Sequence, residues 1–205
     1  MRDHPSAPTG AIRLYGKRIM LRPLTPTDWE QWREVRLRNE DWLVPWEPLR
    51  PAGMLDPTRD RDAYMSRCHA RDRDRQMGVA YGFALFVGSE LAGEVNLNGV
   101  VRGAQQTGTI GYWIDQAKAG HRYVAEAVVA ITRFAFEQLH LHRVEVCIVP
   151  RNRNSRRVME VLQFREEGTA MRFLEINGTW EDHVRYAMTA EEWDIRGDEL
   201  ARTWL

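Results

Sequence analysis

The residues best placed to do chemistry cluster in one turn. Asp115-Gln116-Ala117-Lys118-Ala119-Gly120-His121-Arg122-Tyr123 joins a stretch with strand periodicity to one with helical periodicity. The first amides of a helix have no partner inside it and carry the positive end of its dipole. A phosphate or pyrophosphate can rest there, with Lys118, His121 and Arg122 adding charge. Taken alone, the same turn is a weak signal and reads first as a plain connection with solvated cations. A second constellation is Glu94, Asn96 and Asn98, which strand alternation puts on one face, with Val95 and Leu97 on the other. A carboxylate beside two amides could take a proton from a bound nucleophile; the other reading is a solvated face. His140 and His142 lack an acidic or cysteine partner at ligand spacing, so no metal is expected. Cys147 lies mid-strand and reads as a small buried hydrophobe. No Walker motif, kinase loop or nucleophile elbow is present.

The elements that must hold these residues follow from periodicity. Residues 12–24 contain a strand in their second half. Thr27-Asp28-Trp29-Glu30 reads as a capping box, opening a helix that carries Trp29, Trp32 and Val35 and runs down near Asn39. Pro45 and Pro48 enforce a turn or extended stretch over 41–48. Asp56-Pro57 reads as an N-cap followed by proline, starting a charged helix that extends to about Gln76. Three strands follow at 79–87, 91–101 and 107–115, the first two joined by the Gly88-Ser89-Glu90 hairpin. Residues 123–139 show a helical apolar stripe, 143–149 a strand ended by Pro150, and 152–162 a short helix. The stretches 164–176 and 181–188 form a hairpin across Asn177-Gly178, and the chain ends in a helix rich in acids and Trp. The strand–helix–strand passage from 107 to 149 implies one parallel crossover in an otherwise antiparallel sheet, an α+β fold.

Composition narrows the classes further. The chain has 205 residues, 43% of them hydrophobic, which suits one domain with a sizeable core. We read 1–11 as a flexible lead-in, 12–194 as the domain and 195–205 as a C-terminal tail. Lys+Arg and Asp+Glu are both 29, so a grip on nucleic acid by bulk charge is not expected. Two cysteines exclude a disulfide scaffold and fit a reducing, cytoplasmic setting. No apolar run approaches the length of a membrane span.

Five separated segments, agreeing in order and spacing over roughly residues 12 to 194, carry a resemblance. Ile110-Gly111-Tyr112-Trp113-Ile114-Asp115, then Ala119-Gly120 and a helix containing Ala125-Glu126-Ala127, resembles the central motif of the GNAT N-acetyltransferases. Pro150-Arg151-Asn152-Arg153-Asn154-Ser155, ending in Leu162-Gln163-Phe164, is similar to the family's Pro-x-Asn-x-x-Ser helix. Residues 39–50, residues 98–103 and Trp180-Glu181-Asp182-His183-Val184 resemble the RimJ-like branch, which acetylates protein N-termini, typically of ribosomal proteins. The resemblance implies acetyl-CoA as donor and a GNAT fold whose sheet splays between the strands ending near Asp115 and Val149. It implies that pantetheine runs along the backbone of Tyr112, Trp113 and Ile114. The pyrophosphate would take the amides of Gly120, His121, Arg122, Tyr123 and Val124, with Asn152, Ser155 and Arg156 beside the coenzyme and Ser155 at its thiol end. The family usually has Gly or Ala where this chain has Arg122, and glycine where it has Gln163. The tyrosine common seven positions after the asparagine is replaced by Met159.

Acetyl transfer needs a neutral amine, a stabilised oxyanion and a departing thiolate. An α-amine has a pKa of about 8 against about 10.4 for lysine, a difference worth about 3 kcal/mol, so an N-terminal acceptor needs only a modest base. We take Glu94 as the candidate base and Ser155 and Tyr186 as candidate proton donors, with a structural hydrogen-bonded role as the other reading of Tyr186. Trp42, Trp46 and Glu47 lie in the segment that by resemblance lines the acceptor groove, where rings and a carboxylate suit a peptide ammonium; both rings could instead be core. Asn96, Asp182 and His183 complete the expected substrate-binding set, with a turn-stabilising pair as the alternative for the last two. Three functions stay open: transfer to a protein N-terminus, transfer to a small amine, and a weakly catalytic coenzyme-binding or ribosome-associated protein, as monomer or homodimer.

Overall fold

The computed structural model describes residues 12–205. Its sheet has eight strands: β1 (Leu14–Tyr15), β2 (Ile19–Arg22), β3 (Tyr81–Val87), β4 (Glu90–Val101), β5 (Thr107–Ile114), β6 (Arg143–Ile148), β7 (Arg165–Ile176) and β8 (Thr179–Thr189). They lie in the order β1-β2-β3-β4-β5-β6-β8-β7. Every neighbouring pair is antiparallel except β5 and β6, which are parallel as the crossover requires. Six helices flank the sheet: α1 (Trp29–Arg38), α2 (Glu40–Leu43), α3 (Arg61–Gln76), α4 (Tyr123–Arg133), α5 (Arg153–Leu162) and α6 (Ala190–Trp204).

Period-two alternation sorts side chains into two cores. Tyr81, Phe83 and Leu85 of β3, with Val95 and Leu97 of β4, pack against the nearly all-apolar α4 and against Trp193, Leu200 and Trp204 of α6. Ala84 and Phe86 face the other way, onto Trp32 and Val35 of α1 and Tyr64 and Cys68 of α3. Residues 195–204, read as part of a tail, therefore belong to α6, whose Leu200 and Trp204 are in the core. The lead-in expected at 1–11 lies outside the described residues.

Several local expectations need correction. The first capping contact uses Thr25 rather than Thr27: the Asp28 carboxylate takes the Thr25 amide at 2.7 Å and its hydroxyl at 2.8 Å. Asp56 does not cap α3. It closes a tight turn onto Thr58, and Asp60 caps the helix by accepting from the Ala63 amide at 2.9 Å. Residues 41–48 are mostly helical, in α2 and a 3-10 turn over Val44–Trp46, because Pro45 falls in a first helical turn, where its missing N–H costs nothing. Beyond Arg133, α4 loosens into a π turn over Phe134–Gln138. Asn177 and Gly178 both have positive φ, as their two-residue hairpin demands.

The parallel pair decides the rest of the architecture. Its ladder runs only through Thr107–Arg143, Gly108–Val144 and Thr109–Glu145. Past Thr109 the strands part: β5 stays on β4 up to Gly93–Ile114, while β6 follows β8 out to Ile148–Val184. Close approach holds β5 to β4, since a Cβ on Gly93 would sit 2.2 Å from the Trp113 carbonyl oxygen. Across the opening, the Tyr112 hydroxyl donates to the Ser155 carbonyl at 3.2 Å, fixing α5 against the far wall.

Candidate active site

The opening between β5 and β6 is a cleft of about 910 Å³. Its chemistry starts with the main chain. The Asp115 amide donates to the Ala92 carbonyl at 2.7 Å, so residues of that parity turn their peptide groups toward β4. By alternation, those of Tyr112 and Ile114 face the gap. The Ile114 carbonyl is taken by the Trp42 indole N–H at 3.1 Å. The gap-facing groups of Tyr112 are left for a ligand that lies along β5 like an added strand.

At the far end of β5, Asp115 anchors the turn. Its carboxylate accepts from Arg38, from the Asn39 amide nitrogen at 2.9 Å and from the Ala117 amide at 3.2 Å. Burial would raise its pKa, but Arg38 and Asn39 outweigh that and hold it below the usual range. The chain then turns through Gly120 at φ 80° and Arg122 at φ 66° into α4. The first amide of this helix to find a backbone acceptor is that of Glu126, which bonds to the Arg122 carbonyl at 3.2 Å. The amides before it, from Gly120 to Ala125, have no partner among the described residues, and Gly120, Arg122, Tyr123, Val124 and Ala125 line one wall of the cleft. Arg122 also lines that wall and makes no side-chain bond to the described protein.

The predicted coenzyme residues divide at this point. Tyr112, Trp113, Ile114, Gly120, Arg122, Tyr123, Val124, Asn152 and Ser155 line the cleft together. Asn152 caps α5, its side-chain oxygen accepting from the Ser155 amide at 3.1 Å. The side chains of His121 and Arg156 do not line the cleft, although the His121 amide has no partner among the described residues. His121 is exposed and stacks on Tyr123, contributing its carbonyl to Arg18 at 2.9 Å. Arg156 points to the Tyr186 hydroxyl at 3.1 Å, away from the cleft lining. Lys118 lines the cleft but is neutralised by Glu90 at 2.6 Å.

The catalytic expectations change more. Glu94 does share a face with Asn96, as alternation requires, yet it is only 2% exposed and does not line the cleft. Its carboxylate takes the Trp32 indole N–H at 2.7 Å and both Arg67 contacts, at 2.6 and 2.9 Å. Burial pushes its pKa up, but Arg67 and Arg71 pull it below the ordinary value, the reverse of what a base needs. Tyr186 is buried beneath Arg156 and takes the structural reading; burial raises its pKa. Ser155 remains in the cleft, its hydroxyl without a protein partner.

On the acceptor side, Trp42, Trp46, Glu47, Asn96 and His183 all reach the cleft. Glu47 is held by Arg36 through two bonds of 2.6 Å, and Arg151 covers the Trp46 ring at 4.6 Å. Asn96 accepts from Arg71 at 2.6 Å. Asp182 is a correction: it does not line the cleft but takes the Arg172 amide at 2.8 Å, where β7 is irregular. Sequence reasoning missed Phe173 and Leu174 of β7 as lining residues. Their apolar run in a hairpin gave no sign of which face would turn inward. Cys147, expected as a buried hydrophobe, also lines the cleft. Among the described residues no group of three or more His, Cys, Asp and Glu could hold a metal ion.

A family model described as an acetyltransferase (GNAT) domain matches residues 18–165. The chain belongs to the GNAT acetyltransferases. It is 36% identical over 172 residues to "Probable N-acetyltransferase YjcK" of Bacillus subtilis, covering 83% of this chain and 93% of that one. It is 30% identical over 184 residues to the [ribosomal protein uS5]-alanine N-acetyltransferase of Escherichia coli, covering 89% and 93%. Mycobacterium smegmatis RimJ in complex with CoA-disulfide superposes with a TM-score of 0.85 at 29% identity, covering 98% of this chain and 97% of that one. The chain is thus an N-acetyltransferase of the RimJ/RimL type with acetyl-CoA as donor. The cleft fits that donor: free helix amides and Arg122 for phosphates, and an unpaired strand edge for the amide-bearing arm.

Proposed function

We propose that this GNAT enzyme acetylates the free N-terminal α-amine of a protein, with a ribosomal protein as the acceptor class. One observation carries the reading. The acceptor half of the cleft is walled by Trp42, Trp46, Phe173 and Leu174, and among the described residues the one carboxylate lining it, Glu47, is already paired with Arg36. A polyamine or an aminoglycoside would find no free acid to hold its several cations. A peptide terminus brings a single amine followed by neutral backbone and side chains, which rings and Asn side chains can hold. The uS5-alanine N-acetyltransferase relative acts on an acceptor of this kind.

Acetyl-CoA supplies an activated thioester. The peptide groups at Tyr112 align its arm, and a gap-facing amide of β5 donates to the carbonyl oxygen as charge develops there. The Ser155 hydroxyl protonates the departing thiolate. The test is incubation with labelled acetyl-CoA and a library of peptides bearing free N-termini, followed by mass spectrometry. The expected product carries acetyl on the α-amine. Modification of lysine side chains alone, or of small amines alone, would overturn the acceptor assignment.

A further inference from the structure

We propose that His183 is the general base that takes the proton from the attacking amine, an inference that rests on the acyl-transfer reading above. On β8, Val184, Tyr186 and Met188 belong to the core beneath α4 to α6. His183 and Arg185 therefore point to the opposite face, the side of the sheet where α1 packs. His183 lies opposite Ala170 of β7, and its neighbour Val184 pairs with Ile148 at the end of β6. This places the imidazole in the cleft wall with Trp46 and Phe173, on the side from which an acceptor must approach. The Phe173 ring meets it edge-on with centroids 5.8 Å apart.

The ring's tautomer is fixed by one bond. Nδ1 lies 2.9 Å from the Glu181 carbonyl oxygen, which can only accept, so Nδ1 carries the hydrogen. The lone pair is then on Nε2. Nε2 has no partner in the described protein, yet it is not among the atoms sealed from solvent without one. In a residue only 2% exposed, that remaining opening is into the cleft. The neighbouring charges are engaged elsewhere: Glu181 with Arg151, Asp182 with the Arg172 amide, and Arg185 with Glu145. An imidazole with Nδ1 committed to a carbonyl and Nε2 open toward the cleft has the form of an oriented base.

The step balances without a further reactant. The amine nitrogen bonds to the thioester carbonyl carbon, the carbon–sulfur bond breaks, and the sulfur leaves with its electron pair. The proton shed by the amine passes to Nε2 and then to water, while the sulfur is protonated separately.

His183→Asn keeps a donor for the Glu181 carbonyl and removes the Nε2 base. With an acceptor peptide that the library experiment identifies, we expect kcat to fall about 10²–10³-fold. CoA affinity and thermal midpoint should stay close to wild type, and KM should change less than threefold. His183→Ala should regain activity when imidazole is added. A His183→Asn enzyme that keeps kcat within threefold overturns the assignment. So does a loss confined to KM, or loss of fold in His183→Asn together with no imidazole rescue of His183→Ala. If the wild type transfers acetyl only to small amines, the acceptor reading falls, and the His183 comparison is still decided on that amine. A wild type that transfers to no amine overturns both.

Discussion

Arg122 is the residue at which the backbone and the ligand make opposite demands. Its φ of 66° lies in the left-handed region, where a Cβ is strained and glycine is not. Its side chain lines the end of the cleft proposed for the coenzyme phosphates and has no partner among the described residues. Arg122→Gly should therefore raise the stability of the free enzyme and weaken the coenzyme. Relief of a single left-handed residue, less the entropy that glycine adds to the unfolded chain, leaves about 0.5–1 kcal/mol. For a chain of this size that is a rise of about 1–4 °C in thermal midpoint. A charge-assisted bond to phosphate is worth about 1.5–3 kcal/mol, which solvent screening at an exposed arginine reduces to about 1–1.5, or roughly five- to twelvefold in Kd. Arg122→Ala loses the same charge while keeping the strain, so it should lose the same affinity without the gain in midpoint. Calorimetric titration of CoA at two salt concentrations, with thermal melts of the free proteins, separates the two effects. The salt dependence of binding should be shallower in both variants. Unchanged CoA affinity in Arg122→Gly would refute the phosphate role. Equal midpoints for the Gly and Ala variants would refute the strain argument.

Glu94→Gln leaves Arg67 and Arg71 without their counter-charge at a buried site, so we expect a loss of about 2–3 kcal/mol, seen as a midpoint lower by about 5–10 °C. Turnover per folded molecule should be unchanged; a hundredfold loss at constant stability would restore Glu94 as the base. Asp115 has a pKa held below its unfolded value, so its contribution is present above the unfolded carboxylate pKa and is lost as pH falls through the folded one. Urea titrations should find Asp115→Asn less stable by about 1–2 kcal/mol at pH 7, with the difference from wild type shrinking below about pH 4. Ser155→Ala should lower kcat about 10–100-fold with CoA affinity retained, and a wild-type kcat would remove Ser155 as the thiolate's proton donor.

Much of the cleft's β5–α4 half was legible because it is built from main chain. Strand periodicity at 107–115, a glycine turn and an apolar helix from 123 suffice to put unpaired amides beside a parallel crossover. The fold class followed from the same passage. Helix starts were harder. Asp56-Pro57 and Asp60-Arg61 are both acceptable openings, and only the packing of Tyr64 and Cys68 against β3 selects the second. The α2 segment was hidden by Pro45, which reads as a breaker until its position in a first turn is known.

The acceptor half was legible as a residue list but not as an arrangement. Alternation correctly grouped Glu94 with Asn96, yet pattern alone cannot say what packs on that face. Arg67, Arg71 and Arg75 of α3 recur at intervals of one helical turn. Arg67 claims Glu94, while Arg71 claims Asn96 and adds its charge beside the carboxylate. A buried carboxylate that accepts three hydrogen bonds beside a second guanidinium, outside the cleft lining, stabilises the fold and is not placed to meet a substrate. The opposite holds for His183: half of its hydrogen-bonding capacity is spent on the Glu181 carbonyl and the other half faces space. The distinction that separates a structural acid from a working base here is therefore not residue type or burial, since both are 2% exposed, but whether the neighbours leave an acceptor unfilled. That property belongs to contacts between residues more than twenty positions apart in the case of Glu94 and two apart in the case of His183. Only the second lay within reach of a local motif, which is why Asp182-His183 could be singled out in advance while the tie between α3 and Glu94 could not.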